Sequence, residues 1–273
     1  MQHYQRKVAM VCFSIFVILS TPSCRQAVGR NAVEGQTATF AEGLTAASDA
    51  VEASPKPKPP VVNPIVERRF ITTFNVNAKN FASSGRNTFF ILEPGFQLQY
   101  DGEKGATQTI SVLDETKVVE GVETRVVEKR ELEDGKLSTL TRGYYVIDRS
   151  NNDVYCFGED IDDYEDGKLT GHEGAWLSGK DNGHFGLEMP GSPEIGQRYY
   201  QSQVPKVAMD RAEILSLNNK VVVPAGTFDN CLKTEEASDL NTTKDINYYA
   251  PNVGLVTDGE YRLTKYGTVS KKE

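Results

Sequence analysis

From Phe89 to Tyr266, short runs of alternating apolar and polar residues are cut by polar reversals. A period of two places successive side chains on opposite faces of a strand, so this pattern limits the chain to β-structure more firmly than its composition does. Phe89-Phe90-Ile91-Leu92 ends at Glu93-Pro94-Gly95, and Phe96 to Tyr100 then alternates up to Asp101-Gly102. Thr107 to Leu113, Val118-Val119 and Thr124 to Glu131 continue the series, with turns expected at Asp114-Glu115 and Glu120-Gly121. Glu133-Asp134-Gly135-Lys136 carries the strongest hairpin signal, because Asp-Gly accommodates the positive backbone dihedrals of a tight turn. Thr141–Ile147, Val154–Phe157, Lys220–Val223, Phe228–Thr234, Asp245–Tyr249, Gly254–Thr257 and Glu260–Tyr266 read as further strands. Lys206 to Leu217 can form a short helix, although its residues support a strand as well. The expected fold is all-β, mainly an antiparallel meander forming a curved sheet, sandwich or open barrel, with at most one or two short helices.

The N-terminus has another character. Arg6-Lys7 precede the apolar run Val8–Leu19, short for a membrane span and suited to a signal-peptide core. Residues 1–23 are read as an export signal. Residues 24–62 are read as a flexible spacer that ends in Ser54-Pro-Lys-Pro-Lys-Pro-Pro60, where the prolines favour an extended tether. Residues 63–273 form the β-rich domain, possible also as two closely packed lobes. Cleavage after Ser23 would make Cys24 the first mature residue and a candidate for lipidation, giving lipid-mediated membrane attachment. The alternative is soluble secretion. With Cys24 lipidated, Cys156 and Cys231 remain as a pair that can form one disulfide or stay as two buried thiols. A formal charge of −8, with no basic cluster interleaved with aromatics, argues against a nucleic-acid partner.

The most unusual stretch is Gly158 to Trp176, GEDIDDYEDGKLTGHEGAW. Asp160, Asp162, Asp163, Asp166 and Glu173 offer the hard oxygen ligands that suit calcium. Counted from Asp162, an EF-hand pattern fails at Tyr164, so any calcium site here would be of another kind. Against a site stands a repetition: Glu165-Asp-Gly-Lys-Leu169 restates Glu133-Asp-Gly-Lys-Leu137, which makes the acidic residues ordinary hairpin turns. His172 and His184 can meet across a hairpin as a transition-metal or acid–base pair, or stay on the surface. No nucleophile elbow or phosphate loop is present, and paired carboxylates alone do not make a hydrolase without the right separation. Tyr145, Tyr155, Trp176 and Tyr200 can line an aromatic groove for a small molecule, saccharide or peptide, or fill the core as cross-strand pairs.

VVVPAGTFDNCLKTEE (221–236) and YYAPNVGLV (248–256), with LEPGFQLQY (92–100), YCFGEDIDDYEDGK (155–168) and GLEMPGSPEIGQRYY (186–200), resemble a family of exported or lipid-anchored bacterial proteins. The resemblance implies an envelope setting and one β-rich domain. It differs at Asn252, where glycine is usual, and asparagine serves a turn as well. The functional expectation is a noncatalytic binding or interaction protein of the envelope or cell surface, acting on a small molecule, saccharide, peptide or envelope protein. A calcium-stabilised binding module and a secreted hydrolase are the alternatives.

Overall fold

A computed structural model describes residues 69–269. The expected export signal and spacer, Cys24 and the first residues of the expected domain lie outside that range. The described chain is almost entirely β. Three short strands come first: β1 (Phe81–Ala82), β2 (Gly85–Asn87) and β3 (Phe90–Leu92). Long strands follow: β4 (Phe96–Asp101), β5 (Thr107–Val119), β6 (Val122–Glu133), β7 (Lys136–Asp148) and β8 (Val154–Glu165). The middle is built of β9 (Lys168–Gly171), β10 (Trp176–Leu177), β11 (His184–Met189), β12 (Arg198–Tyr200) and β13 (Ser202–Gln203). The last part holds β14 (Asp210–Val223), β15 (Gly226–Ser238), β16 (Lys244–Ala250), β17 (Gly254–Asp258) and β18 (Tyr261–Thr268). The helical content is two single 3₁₀ turns, Ala78–Asn80 and Glu103–Gly105.

Thirteen strands pair in the order β12-β14-β15-β16-β17-β18-β4-β5-β6-β7-β8-β11-β13. The two ends of this path are consecutive in the chain, separated by Gln201 alone. One segment, Arg198 to Gln203, therefore pairs with β14 through its first half and with β11 through its second. The sheet thereby curls onto itself as a near-closed barrel with an open seam. Beside the seam runs the segment before β1: Ile71 N–H donates to Arg198 O (2.9 Å), and Tyr200 N–H donates to Ile71 O (3.1 Å).

Several expected boundaries moved. Asp114-Glu115 is no turn, since β5 continues through it as a single strand with a register shift between Val112 and Thr116. A bulge absorbs the extra residues there while the ladder resumes on the same neighbour. Lys206–Leu217, open in sequence to helix or strand, runs mostly as strand β14, because each inward residue from Asp210 to Ile214 finds a partner on β15. The acidic run after Phe157 is strand as well, as the far half of β8. Both Asp-Gly repeats are hairpin turns. Asp134 and Gly135 have φ of 49° and 74°, and Asp166 and Gly167 have φ of 51° and 75°. The two tips lie side by side, joined by Lys136 Nζ and Asp166 Oδ1 at 3.1 Å. With the left-handed dihedral supplied at no steric cost only by glycine, Gly135→Ala is expected to cost about 1 kcal/mol. A lowered urea midpoint at unchanged slope would show it.

Along each long strand, alternate residues face the barrel interior. One part of that interior is apolar: Phe96, Leu98, Ile110, Val112, Val127 and Leu232 are all buried. Next to Phe89, Phe96 and Tyr249 the remaining free volume is ≈ 30 Å³, about the space of one water molecule. The other part is filled by polar and ionisable side chains.

Candidate functional site

The polar part of the interior is built by strand parity. On β15 and β16 the inward positions are Thr234, Glu236, Asn247 and Tyr249. Asp210 opens β14, Glu188 lies on β11, Gln108 on β5, Lys129 on β6 and Asp258 at the end of β17. A register shift between Gly143 and Tyr145 on β7 marks a bulge opposite Gly158, and beyond it Glu159 is buried. The exposures decide what these groups can do: Glu159 2 %, Glu188 2 %, Asp210 3 %, Glu236 1 %, Asp258 0 %. They are sealed from solvent, where an isolated ionised carboxylate costs several kcal/mol.

Some are provided with partners. Glu236 Oε1 accepts from Thr234 Oγ1 (2.8 Å) and Tyr249 Oη (2.8 Å), and its Oε2 accepts from Asn247 Nδ2 (3.0 Å). Trp176 Nε1 donates to Glu159 Oε1 at 3.0 Å. Gln108 Nε2 donates to Asp258 Oδ2 (3.0 Å), and Ser202 Oγ donates to Asp210 Oδ2 (2.8 Å). Others are not. Glu188 Oε2, Asp210 Oδ1, Asp258 Oδ1 and Tyr199 Oη are buried with no hydrogen-bond partner among the described residues.

Burial dominates the electrostatics. It pushes Glu236 up to about 7, against the hydrogen bonds from Tyr249 and Thr234, and raises Asp210 and Asp258 to about 6. Glu159 and Glu188 are lifted well above the usual carboxylate range, by burial first and then by neighbouring acidic groups. Burial alone would push Lys129 down, but Glu131 and Asp258 outweigh it and keep the ammonium charged. Lys129 is a buried cation of this interior, and it faces Glu131, Asp258 and Glu159.

A second feature lies outside the barrel wall. The β14–β15 hairpin reaches as far as β18, where Ala225 N–H in its Pro224-Ala225 tip donates to Leu263 O at 2.9 Å. An open groove of ≈ 600 Å³ lies between Asn219–Val222 and the faces of β16 to β18. Val222, Ile246 and Tyr248 give it an apolar floor, and Lys220, Lys244 and Arg262 stand around them, with Asp245 and Glu260 on the same lining. Lys244 pairs with Glu235 (2.6 Å), whereas Arg262 Nη1 donates to the backbone oxygens of Gly259 and Tyr261.

The residues singled out from the sequence are spread widely. Asp160 lies with Lys117 (2.9 Å) and accepts from Tyr144 Oη on the wall of the barrel. Asp162 pairs with His172 (2.8 Å), whose Nδ1 also lies 2.9 Å from Ile161 O. Asp166 is at the hairpin tip with Lys136, and Asp163 is raised by burial and by Glu173. Among the described residues no three His, Cys, Asp or Glu side chains are placed to hold a metal ion together. His184 is exposed at the start of β11, where its backbone pairs with Gln203, and the two histidines are not brought together.

The aromatic groove is corrected to core. Tyr145, Tyr155 and Trp176 are all buried. Tyr155 packs edge-on against Phe185, which stacks on Phe157 at 4.7 Å, and Phe74 and Phe81 cover the group. Tyr145 packs against Phe90 on another side, and Tyr200 donates its hydroxyl to Asp239. The disulfide is corrected too: Cys156 and Cys231 are both buried free thiols. They sit on β8 and β15, which are not neighbours, and each sulfur lies near a carbonyl of its own strand, Gly158 O at 3.6 Å and Phe228 O at 3.5 Å.

The buried carboxylates Glu188, Asp210, Glu236 and Asp258 were not singled out in the sequence, where they lie outside the acidic stretch Gly158 to Trp176. Their parity was the available signal: Glu236 shares a face with Leu232 and Thr234, and Asp210 with Ala212 and Ile214. The chain matches no protein-family model, and no curated protein or solved structure is significantly similar to it. What stands is a β-rich barrel.

Proposed function

We propose that this chain is a noncatalytic binding protein of the bacterial envelope, exported by its leader and tethered by its proline-rich spacer, that takes an apolar ligand bearing an acidic group. The observation that carries the binding reading is the groove of ≈ 600 Å³ under the β14–β15 hairpin. Its size falls within the range of small-molecule sites, roughly 300–1,000 Å³. In a chain of net charge −8, Lys220, Lys244 and Arg262 gather around Val222, Ile246 and Tyr248. Arg262 keeps a charge that no carboxylate takes up among the described residues, which suits an anionic head group. A noncatalytic role is supported by the chemistry of the lining. The groove carries no histidine, cysteine or serine, and the strongly perturbed carboxylates are sealed inside the barrel. The export and envelope part rests on Arg6-Lys7, the apolar run Val8–Leu19 and the family-like phrases of the C-terminal half.

The probe for a test is anilinonaphthalene sulfonate, an apolar body with one anionic group. The folded chain is expected to bind it saturably, with tenfold weaker binding in the Arg262→Glu variant and little change in Arg130→Glu, on β6 remote from the groove. Equal binding by all three proteins would count against the groove.

A further inference from the structure

Glu188 and Asp210 flank the seam. Glu188 lies on β11, Asp210 begins β14, and the Arg198–Gln203 segment runs between them. Glu188 is faced by Cys156 of β8, Asp210 of β14 and Glu236 of β15, and by the hydroxyls of Tyr199 on β12 and Tyr249 on β16. Asp210 is faced by Ser202 on β13, Ser238 on β15, Asp239, Glu159 and Glu188. None of these is a cation. Arg211, next in sequence to Asp210, turns to the other face, pairing with Asp239 (2.8 Å) and lying over the Phe70 ring at 4.6 Å. Lys129 is occupied with Glu131, Asp258 and Glu159.

The seam itself is thinly bonded. β11 pairs with β13 at two positions only, His184↔Gln203 and Phe185↔Ser202. Beyond them β11 meets the Arg198–Gln201 stretch by close approach of Gly186 to the Gln201 carbonyl. By contrast β5, β6, β7 and β8 are joined to one another by long ladders. Negative charge appearing at Glu188 and Asp210 would lack a countercharge. Of the two boundaries along the thirteen-strand path paired at two positions only, β11–β13 and β17–β18, the first is the one these carboxylates flank, so it is the one their charge would open.

We propose that this seam is latched by protons: it is shut while Glu188 and Asp210 are protonated, and their ionisation opens the barrel interior along β11. The unpartnered oxygens Glu188 Oε2 and Asp210 Oδ1 are the geometric mark of the latch: no hydrogen bond reaches the first, and Asp210 is met by neutral serine hydroxyls alone, so burial favours the neutral form of each carboxyl. Burial holds the two groups protonated above the usual carboxylate range, with Asp210 at about 6. Opening restores solvent to both carboxylates, so the open form gains relative to the closed form as pH rises. The latch is independent of the outer groove, and either can fail without the other.

Hydrogen exchange of the whole chain, read by mass spectrometry from pH 5 to pH 8 and corrected for the intrinsic exchange rate, tests it. The measured quantity is the ratio of protection in β5–β7 to protection in residues 198–204. This ratio is expected to rise at least tenfold between pH 5 and pH 8 in the unaltered chain. In Glu188→Gln, which keeps the shape and removes the ionisation, most of that rise should vanish. A ratio that stays constant with pH would overturn the latch, and so would an unchanged rise in the glutamine variant. Should Glu188→Gln fail to fold, Asp210→Asn gives the same comparison, and a flat ratio in the unaltered chain is decisive alone.

Discussion

Between pH 5 and pH 8 the unfolding midpoint of this protein is expected to fall, against the usual behaviour of a β barrel rich in surface carboxylates. The reason is the set of sealed acids. Glu236 is held at about 7 and Asp210 and Asp258 at about 6, with Glu159 and Glu188 higher than the usual range. Each has a folded-state value above its unfolded one, so the folded chain binds more protons than the unfolded chain, and raising the pH favours unfolding. The loss starts above the unfolded values, near pH 4, and for Glu236, Asp210 and Asp258 it is nearly complete past pH 7. Each group contributes about 1.4 kcal/mol per pH unit while it titrates in the unfolded state alone, so a combined loss of order 5 kcal/mol is expected. For a domain of this size that corresponds to a midpoint lower by roughly 10–20 °C at pH 8 than at pH 5. Glu188→Gln should raise the pH 8 midpoint and leave the pH 5 midpoint nearly where it was. A midpoint that is level or rising from pH 5 to pH 8 would refute the account of a protonated interior.

How far the sequence reached can be judged from particular residues. The β class and the two Asp-Gly hairpins were legible, because period two and left-handed turn residues are local properties. Asp114-Glu115 was misread since a bulge and a turn use the same polar residues, and only the neighbouring strand decides between them. The closure of the barrel was not legible. It depends on Arg198–Gln203 pairing with two strands at once, one of them beginning at His184 and the other at Asp210. The acidic stretch drew attention to Asp160, Asp162 and Asp166, whose carboxylates are spent on Lys117, His172 and Lys136. Glu188, flanked by Leu187 and Met189, carried no composition signal at all. Its environment is made by β8, β14 and β15, from three distant parts of the chain.

The same limit applies to glycine, and there a large single-residue effect is expected. Gly171 and Gly186 both belong to strands and look alike in the sequence. A Cβ on Gly171 would meet nothing closer than Asp163 Oδ2 at 3.8 Å, an ordinary contact. A Cβ on Gly186 would lie 2.2 Å from Gln201 O, 2.3 Å from Gln201 C and 2.6 Å from Tyr200 O. All three are backbone atoms of the segment that closes the barrel, so no side chain can move aside to make room. Gly186→Ala is expected to lose about 3 kcal/mol or more, while Gly171→Ala stays within about 0.5 kcal/mol of the parent. Chemical denaturation at pH 5 measures both. At pH 8 the lesion adds to the charge already strained across the same seam, and stabilities of natural domains are only about 5–15 kcal/mol. Gly186→Ala should therefore be folded at pH 5 and largely unfolded at pH 8, with Gly186→Ala/Glu188→Gln recovering part of the loss at the higher pH. Equal losses from Gly186→Ala at both pH values, with no recovery from the second change, would separate the steric closure of the barrel from its protonation.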